Sequence, residues 1–269
     1  MEVGFLTACM GKEPFEEIIK WAGKNGVRKL EVIRSHLGED TPKRDAAILK
    51  ALKAAGVTLS SIAAYDGGLL KDPKKGLADL KSAIDRCVRL DTDVCCALAG
   101  IAPAGVSREQ AIDGPFTQIF GPACDYAARK GVKIALENWF ATLIMNFDHW
   151  DRVLHRVPAK NLGFNYDPSH LLWQGIDYLG GVTKYGSRIF HTHAKDTEVQ
   201  REVLRRVGVH GDGWWRYVIP GQGRVRWGEY IARLRTVKYD GVLSIEHEDG
   251  TIAPREGVLL GKKYLEQYL

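Results

Sequence analysis

No two cysteines of this 269-residue chain form a Cys-x-x-Cys pair, and their number, five, is odd. Cys9, Cys87, Cys95, Cys96 and Cys124 are therefore not expected to build a disulfide framework or a zinc knuckle, and a reducing, cytoplasmic setting is expected instead. Cys95 and Cys96 adjoin within an apolar run, where they would point to opposite faces of a strand as core residues. No apolar run approaches the ~18 residues that read as a membrane span. The opening MEVGFLTACM lacks the basic start and apolar stretch of a signal peptide, so no membrane partner is expected. The net charge of +5 comes from scattered Lys and Arg. Basic stretches at 201–206 and 224–226 read as solvated faces rather than a nucleic-acid footprint. Also missing is a Gly-x-Gly-x-x-Gly after the first strand, where Ala8-Cys9-Met10-Gly11-Lys12 stands, and this argues against a dinucleotide fold.

What is present is the 45% hydrophobic, 26% charged composition of an ordinary globule, at a length close to that of one (β/α)8 domain. Short apolar runs alternate with stretches of helical period. Strands are predicted at 2–8, 28–34, 58–65, 94–100, 133–139, 162–167, 188–194 and 242–248. Helices are predicted at 14–24, 45–55, 73–90, 107–130, 148–157, 177–185, 227–238 and 256–268. Gly26, Gly56, Gly131, Gly163, Gly186 and Gly241 follow helices as stops. Such alternation implies parallel strands joined by crossover helices, and eight units fit a single closed α/β barrel over residues 1–269. One connection is outsized, a long loop at 196–226 after strand seven.

Active sites of such barrels lie at the C-terminal ends of the strands. Strand five ends Leu136-Glu137-Asn138, strand six Asp167-Pro168-Ser169-His170, strand seven His193-Ala194-Lys195-Asp196 and strand eight Ile245-Glu246. Any one of these acids or histidines is more often an ion-pair partner, a helix cap or a core imidazole. Equivalent positions in four successive units are not independent, however, and three carboxylates meeting at one rim repel unless a cation neutralises them. Glu137, Asp167, His193 and Glu246 are accordingly the expected metal ligands. His191 shares a strand face with His193 and could ligate in its place, though His193 lies nearer the rim. Three oxygen donors and one nitrogen suit one divalent ion, Mn²⁺ first, with Mg²⁺ or Co²⁺ as alternatives and Zn²⁺ less favoured.

These motifs, with Pro220-Gly221-Gln222-Gly223, resemble the sugar phosphate isomerase/epimerase family, a xylose-isomerase-like group that includes ketose 3-epimerases and inosose dehydratases. The resemblance runs over the whole chain, one motif per strand. It implies the same four ligands, with Glu137 and Glu246 also moving protons and His170 touching the substrate. Lys195-Asp196-Thr197-Glu198 stands where ketose 3-epimerases place an Arg, a departure from a free-ketose epimerase. Lys195, Asp196, Arg224 and Trp214 are further candidates for substrate contact, with Trp214 and Trp215 as lid or oligomer residues. Relatives are often dimers or tetramers, so a homo-oligomer is in keeping.

Proton abstraction beside a carbonyl, through an enediolate, follows from two carboxylates flanking a cation. Isomerisation or epimerisation of a carbohydrate leads, and a lyase or dehydratase acting on a keto-sugar, 3-keto-glycoside or keto-inositol is the alternative. An endonuclease IV-like nuclease would need further His ligands from the early strands. Ala63-Ala64-Tyr65-Asp66 and Ala99-Gly100-Ile101 supply none, so a single metal and no nucleic-acid partner are expected. A non-catalytic sugar-binding protein is the remaining rival.

Overall fold

The computed structural model describes all of residues 1–269. Ten strands are present: β1 (Glu2–Leu6), β2 (Lys29–Ile33), β3 (Thr58–Ala64), β4 (Val94–Leu98), β5 (Lys133–Glu137), β6 (Leu162–Tyr166), β7 (Ile189–Ala194), β8 (Asp196–Val199), β9 (Trp215–Val218) and β10 (Val242–Ile245). Eight of them close into a barrel in the order β1-β10-β7-β6-β5-β4-β3-β2, and every pairing is parallel. This is the expected α/β barrel. Strands covered by helices outside and by side chains inside are buried on both faces, so β4, β6 and β10 are buried along their whole length. No helix is long and apolar enough to cross a membrane.

Local chemistry sets the helix starts. Thr41 caps Pro42–Ala55 by accepting from the Arg44 N–H, and Asp72 caps Pro73–Arg89 in the same manner, each with Pro in the first turn. Gly26, Gly56 and Gly131 stop helices with the left-handed φ that favours glycine. Gly163 does not stop a helix. It lies inside β6, where a Cβ would meet the Arg188 carbonyl at 2.1 Å.

Three expectations about elements need correction. Most of the barrel strands end before their predicted limits, because the ladder stops where neighbours diverge and the chain turns outward to form the rim. Leu98 pairs with Glu137 and Glu137 with Asn165 at that limit. The helix predicted at 107–130 is broken into Arg108–Ala111, a wide turn over Ile112–Phe116 and Thr117–Ala128. Pro115 sits in the wide turn and has no N–H to give, which accounts for the interruption. Residues 196–226, expected as a loop, contain β8, the helix Arg201–Val207 and β9. β8 and β9 pair antiparallel from Asp196↔Val218 to Val199↔Trp215. The helix between them replaces the two-residue turn that would signal a hairpin in sequence.

Candidate metal centre

Glu137 is the last residue of β5 and Glu246 the first after β10. His193 lies in β7, paired with Ser244, and Asp167 follows β6 as the N-cap of Pro168–Leu172. Asn138 clamps Asp167 by accepting its N–H at 2.7 Å and donating Nδ2 to its carbonyl at 2.9 Å. Asp167 Oδ1 accepts from the Ser169 N–H at 2.8 Å, which leaves Oδ2 directed inward. One candidate ligand atom from each of the four residues lies within 4.8 Å of the others. All four residues are buried.

The electrostatics of this group are unbalanced in a specific way. His193 Nε2 lies 3.0 Å from Glu31 Oε2, 2.9 Å from Asn165 Nδ2 and 3.2 Å from the Tyr65 hydroxyl, and the charged carboxylate, which can only accept, favours a proton on Nε2. Nδ1 then faces Glu246 Oε2 at 2.9 Å, Glu137 Oε1 at 3.6 Å and Asp167 Oδ2 at 3.9 Å. Neither Nδ1 nor Asp167 Oδ2 has a hydrogen-bond partner, although both are buried. Without metal, the His193 imidazole and the Lys195 ammonium offset part of this negative charge; once His193 gives up its Nδ1 proton, three carboxylates and one imidazole nitrogen fit a divalent cation. The Glu31–His193 bond is the kind of outer support that would orient a ligating imidazole.

Protonation responds to the same imbalance. Burial lowers the His193 pKa, yet the charges of Glu246 and Glu31 overcome it and hold it well above the ordinary value. Burial likewise raises Glu137 and Glu246, but His170, His193 and Lys195 around Glu137, and His193 and Lys195 around Glu246, bring both below the usual carboxylate range, Glu246 to about 2. His191, lower in the barrel, is pushed down to about 4, mainly by burial.

The structure also shows which other predicted residues reach the quartet. Lys195 is buried, with Nζ 2.6 Å from Glu246 Oε2, 3.2 Å from Glu248 Oε2 and 3.3 Å from Asp167 Oδ2. It also lies 4.4 Å from the Tyr217 ring centre. His170 Nε2 is 3.2 Å from Glu137 Oε1, and its Nδ1 is bonded by the Tyr217 hydroxyl at 2.6 Å. His191 is not at the rim; its nitrogens face Asn165 Oδ1 at 3.0 Å and Ser60 Oγ at 3.1 Å.

Three other candidates for substrate contact have neighbours of their own. Both Asp196 oxygens are committed to the chain, accepting from the N–H groups of Thr197, Gly221 and Val225 and from Trp227 Nε1. It anchors the Pro220–Gly223 turn, and a Cβ at Gly223 would strike its carboxylate at 2.2 Å. Arg224 is exposed and its guanidinium rests on the Val199 carbonyl. Trp214 is buried edge-on against Trp173, so the neighbouring Trp215 takes the place beside the mouth.

Sequence reading missed Glu31, Tyr65, Phe140, Tyr217 and Glu248. Glu31 had a signal, being a lone carboxylate in the apolar β2 stretch Lys29–Ile33. Tyr217 had none, since its place depends on the β8–β9 pairing. Glu31 also forms a second group with Cys96 and His191, which the early strands were not expected to supply. Two of its members already have partners: Glu31 accepts from Tyr65 at 2.6 Å and Ser244 at 2.8 Å, besides its contact with His193, and His191 faces Asn165 and Ser60.

Comparison with known proteins agrees with this architecture. The chain is 26% identical over an alignment of 312 residues to the uncharacterized protein YfiH of Bacillus subtilis (strain 168), covering 99% of each. It is 28% identical over 151 residues to an inosose dehydratase of Geobacillus thermodenitrificans, a match covering 53% of this chain and 50% of that one. Among solved structures, the probable 3-DHS dehydratase AsbF from Bacillus anthracis superposes with a TM-score of 0.79 at 19% identity, covering 99% of both chains. The IolI protein with a binding zinc atom gives 0.80 at 18%, covering 100% of this chain and 99% of that one. At these identities the structures attest the fold alone. The model of the xylose isomerase-like TIM barrel family matches residues 19–268, and with the closed barrel this establishes that the chain belongs to that family.

Proposed function

We propose that the protein is a divalent-metal-dependent carbohydrate isomerase or epimerase, acting by proton abstraction beside a carbonyl through an enediolate. The observation that carries this reading is the convergence of four buried candidate ligands, with Asp167 Oδ2 and His193 Nδ1 making no hydrogen bond, on one point between Glu137 and Glu246. When bound there, a divalent ion, Mn²⁺ first and Mg²⁺, Co²⁺ or Zn²⁺ as alternatives, would supply Lewis-acid stabilisation of the charge that develops on a carbonyl oxygen. Asp167 and His193 serve as holding ligands, clamped by Asn138 and Glu31.

Glu137 and Glu246 stand at the two ends of an arc of four adjacent strands, β5, β6, β7 and β10, and so flank whatever lies between them. Both are held ionised at neutral pH, and either can accept the proton from carbon. Return of a proton from the opposite side inverts the carbon, and return to the neighbouring carbon moves the carbonyl. Lys195, 2.6 Å from Glu246, keeps that carboxylate charged and fixed. His170, held between Glu137 and Tyr217, is placed to orient a substrate oxygen.

A second reading, a lyase or dehydratase acting on a keto-sugar, 3-keto-glycoside or keto-inositol, draws support from the similarity to inosose dehydratases. His170, Lys195 and Tyr217 also cluster where a departing hydroxyl would need a donor. The test is ¹H NMR in D₂O of the Mn²⁺-loaded protein with ketoses, their phosphates, 3-keto-glycosides and a keto-inositol. Exchange with inversion or carbonyl migration supports the first reading, and loss of water supports the second. Full exchange in both Glu137→Gln and Glu246→Gln would remove the proposed acid–base pair.

A further inference from the structure

Three separate segments bring aromatic rings to one side of the mouth. Phe140 follows β5, Trp173 ends the helix Pro168–Leu172, and Trp215 and Tyr217 alternate along β9. Trp173 and Trp215 stack with centres 4.4 Å apart and planes 6° from parallel. Phe140 meets both edge-on, at 5.0 and 6.1 Å. Trp215 lies 5.0 Å from Tyr217, whose hydroxyl bonds His170, and the Phe140 ring is 6.0 Å from that imidazole. The aromatic surface thus runs without a break to a histidine 3.2 Å from Glu137. Its four members are only partly buried, whereas Trp150 and Trp227, which pack in the core, are fully buried.

The charges beside this wall are arranged against anions. Lys195 is taken up by Asp167, Glu246 and Glu248. The Arg216 guanidinium is held by Glu198 at 2.6 Å and Asp249 at 3.0 Å, and that of Arg108 by the Thr142 carbonyl at 3.0 Å. Glu137, Asp167, Glu246 and Glu248 outweigh Lys195 and one divalent ion together. A phosphate or carboxylate would enter against net negative charge, and the guanidinium nearest the wall in sequence, Arg216, is already paired with Glu198 and Asp249. A closed carbohydrate ring, by contrast, presents a flat face of C–H groups that stacks on indole and phenyl rings, which an open chain lacks.

We infer that the substrate is an uncharged carbohydrate in closed-ring form, a pyranoside or cyclitol, lying on the Phe140–Trp173–Trp215–Tyr217 wall with its reacting carbon toward Glu137 and His170. This rests on the carbohydrate reading proposed above and narrows it. Phosphorylated sugars and ring carboxylates are excluded by charge, and open-chain ketoses by shape.

Binding is measured by tryptophan fluorescence titration of the Mn²⁺-loaded protein. The probes are 2-keto-myo-inositol, methyl 3-keto-β-D-glucopyranoside, D-fructose 6-phosphate and 3-dehydroshikimate. At least one neutral ring is expected to bind about tenfold or more tighter than either anion. Trp215→Ala and Phe140→Ala are each expected to weaken it by about tenfold with Mn²⁺ affinity unchanged, and Trp215→Phe to restore most of the loss. Equal or tighter binding of either anion, unchanged ring binding in folded Trp215→Ala, or no binding by either neutral ring would overturn the inference. Failure of the chemistry is read separately: a neutral ring that binds without exchanging deuterium contradicts the proposed reaction and leaves the substrate class standing. Exchange in fructose 6-phosphate does the reverse.

Discussion

The two ends of the barrel carry charge in different ways. At the N-terminal end a cavity of about 950 Å³ is bordered by Glu2, Lys29, Asp93, Lys133 and Lys238. Its ion pairs are open to water: Lys133 and Asp93 sit 3.0 Å apart with side chains 46% and 63% exposed. At the C-terminal mouth the charged groups are withdrawn from solvent, and two of their atoms lack partners. Solvated pairs of the first kind contribute little and ask for nothing further. Buried like charges of the second kind are tolerable only with a counter-charge. Cavity size therefore marks where solvent enters this barrel, while unsatisfied burial marks the candidate metal centre, at the strand ends where such barrels place their sites.

The sharpest way to break this contrast is Lys195→Met. Removing a buried cation from among three carboxylates should destabilise the metal-free protein by about 3–5 kcal/mol. Mn²⁺ should recover most of the loss in a chemical denaturation curve. Equal loss with and without metal would mean that the mouth does not share one counter-charge. Next in size, Glu31→Gln should weaken Mn²⁺ binding by about 10–100-fold by calorimetry, because it releases the His193 imidazole. Cys96→Ala, which alters only the inner group, should leave that affinity alone.

Acidity sharpens the comparison further. In the metal-free protein His193 keeps its proton above the ordinary histidine range, so a metal ion must displace that proton. Apparent Mn²⁺ affinity should fall by about tenfold per pH unit once the pH drops below the His193 value, with proton release visible as a buffer-dependent heat. For stability the signs run oppositely for the two kinds of group. The His193 contribution is complete below the unfolded histidine value of about 6.5 and is lost as pH rises through the raised folded value. Glu246, held at about 2, contributes above the unfolded carboxylate value and loses its share as pH falls toward 2. Metal should abolish the alkaline loss. The smallest effect is expected at the opposite end, where Lys133→Ala should change stability by less than about 0.5 kcal/mol and metal affinity not at all.

Much of this was readable before any coordinates. Alternating apolar runs and helical periods gave the closed barrel, because each β/α unit is local in sequence. The four quartet residues were visible because each lies at or beside a strand end, and strand ends repeat from unit to unit. What sequence could not reveal depends on contacts between distant segments. Glu31 lies 162 positions from His193, and only closure of the ring brings them together. Trp215 and Tyr217 reach the mouth through a hairpin whose turn is replaced by a helix. Asp196, which looked like a substrate contact beside Lys195, turned out to be a loop anchor, since adjacent residues at a strand end point to opposite sides.

Metal content of purified, chelator-stripped and Mn²⁺-reloaded protein tests the central claim most directly, comparing wild type with Asp167→Asn and Cys96→Ala. The account predicts one Mn²⁺ per chain in wild type and in Cys96→Ala, and binding weakened by about 100-fold or more in folded Asp167→Asn. Stoichiometric Mn²⁺ retained at wild-type affinity in Asp167→Asn, or lost with Cys96, would contradict it.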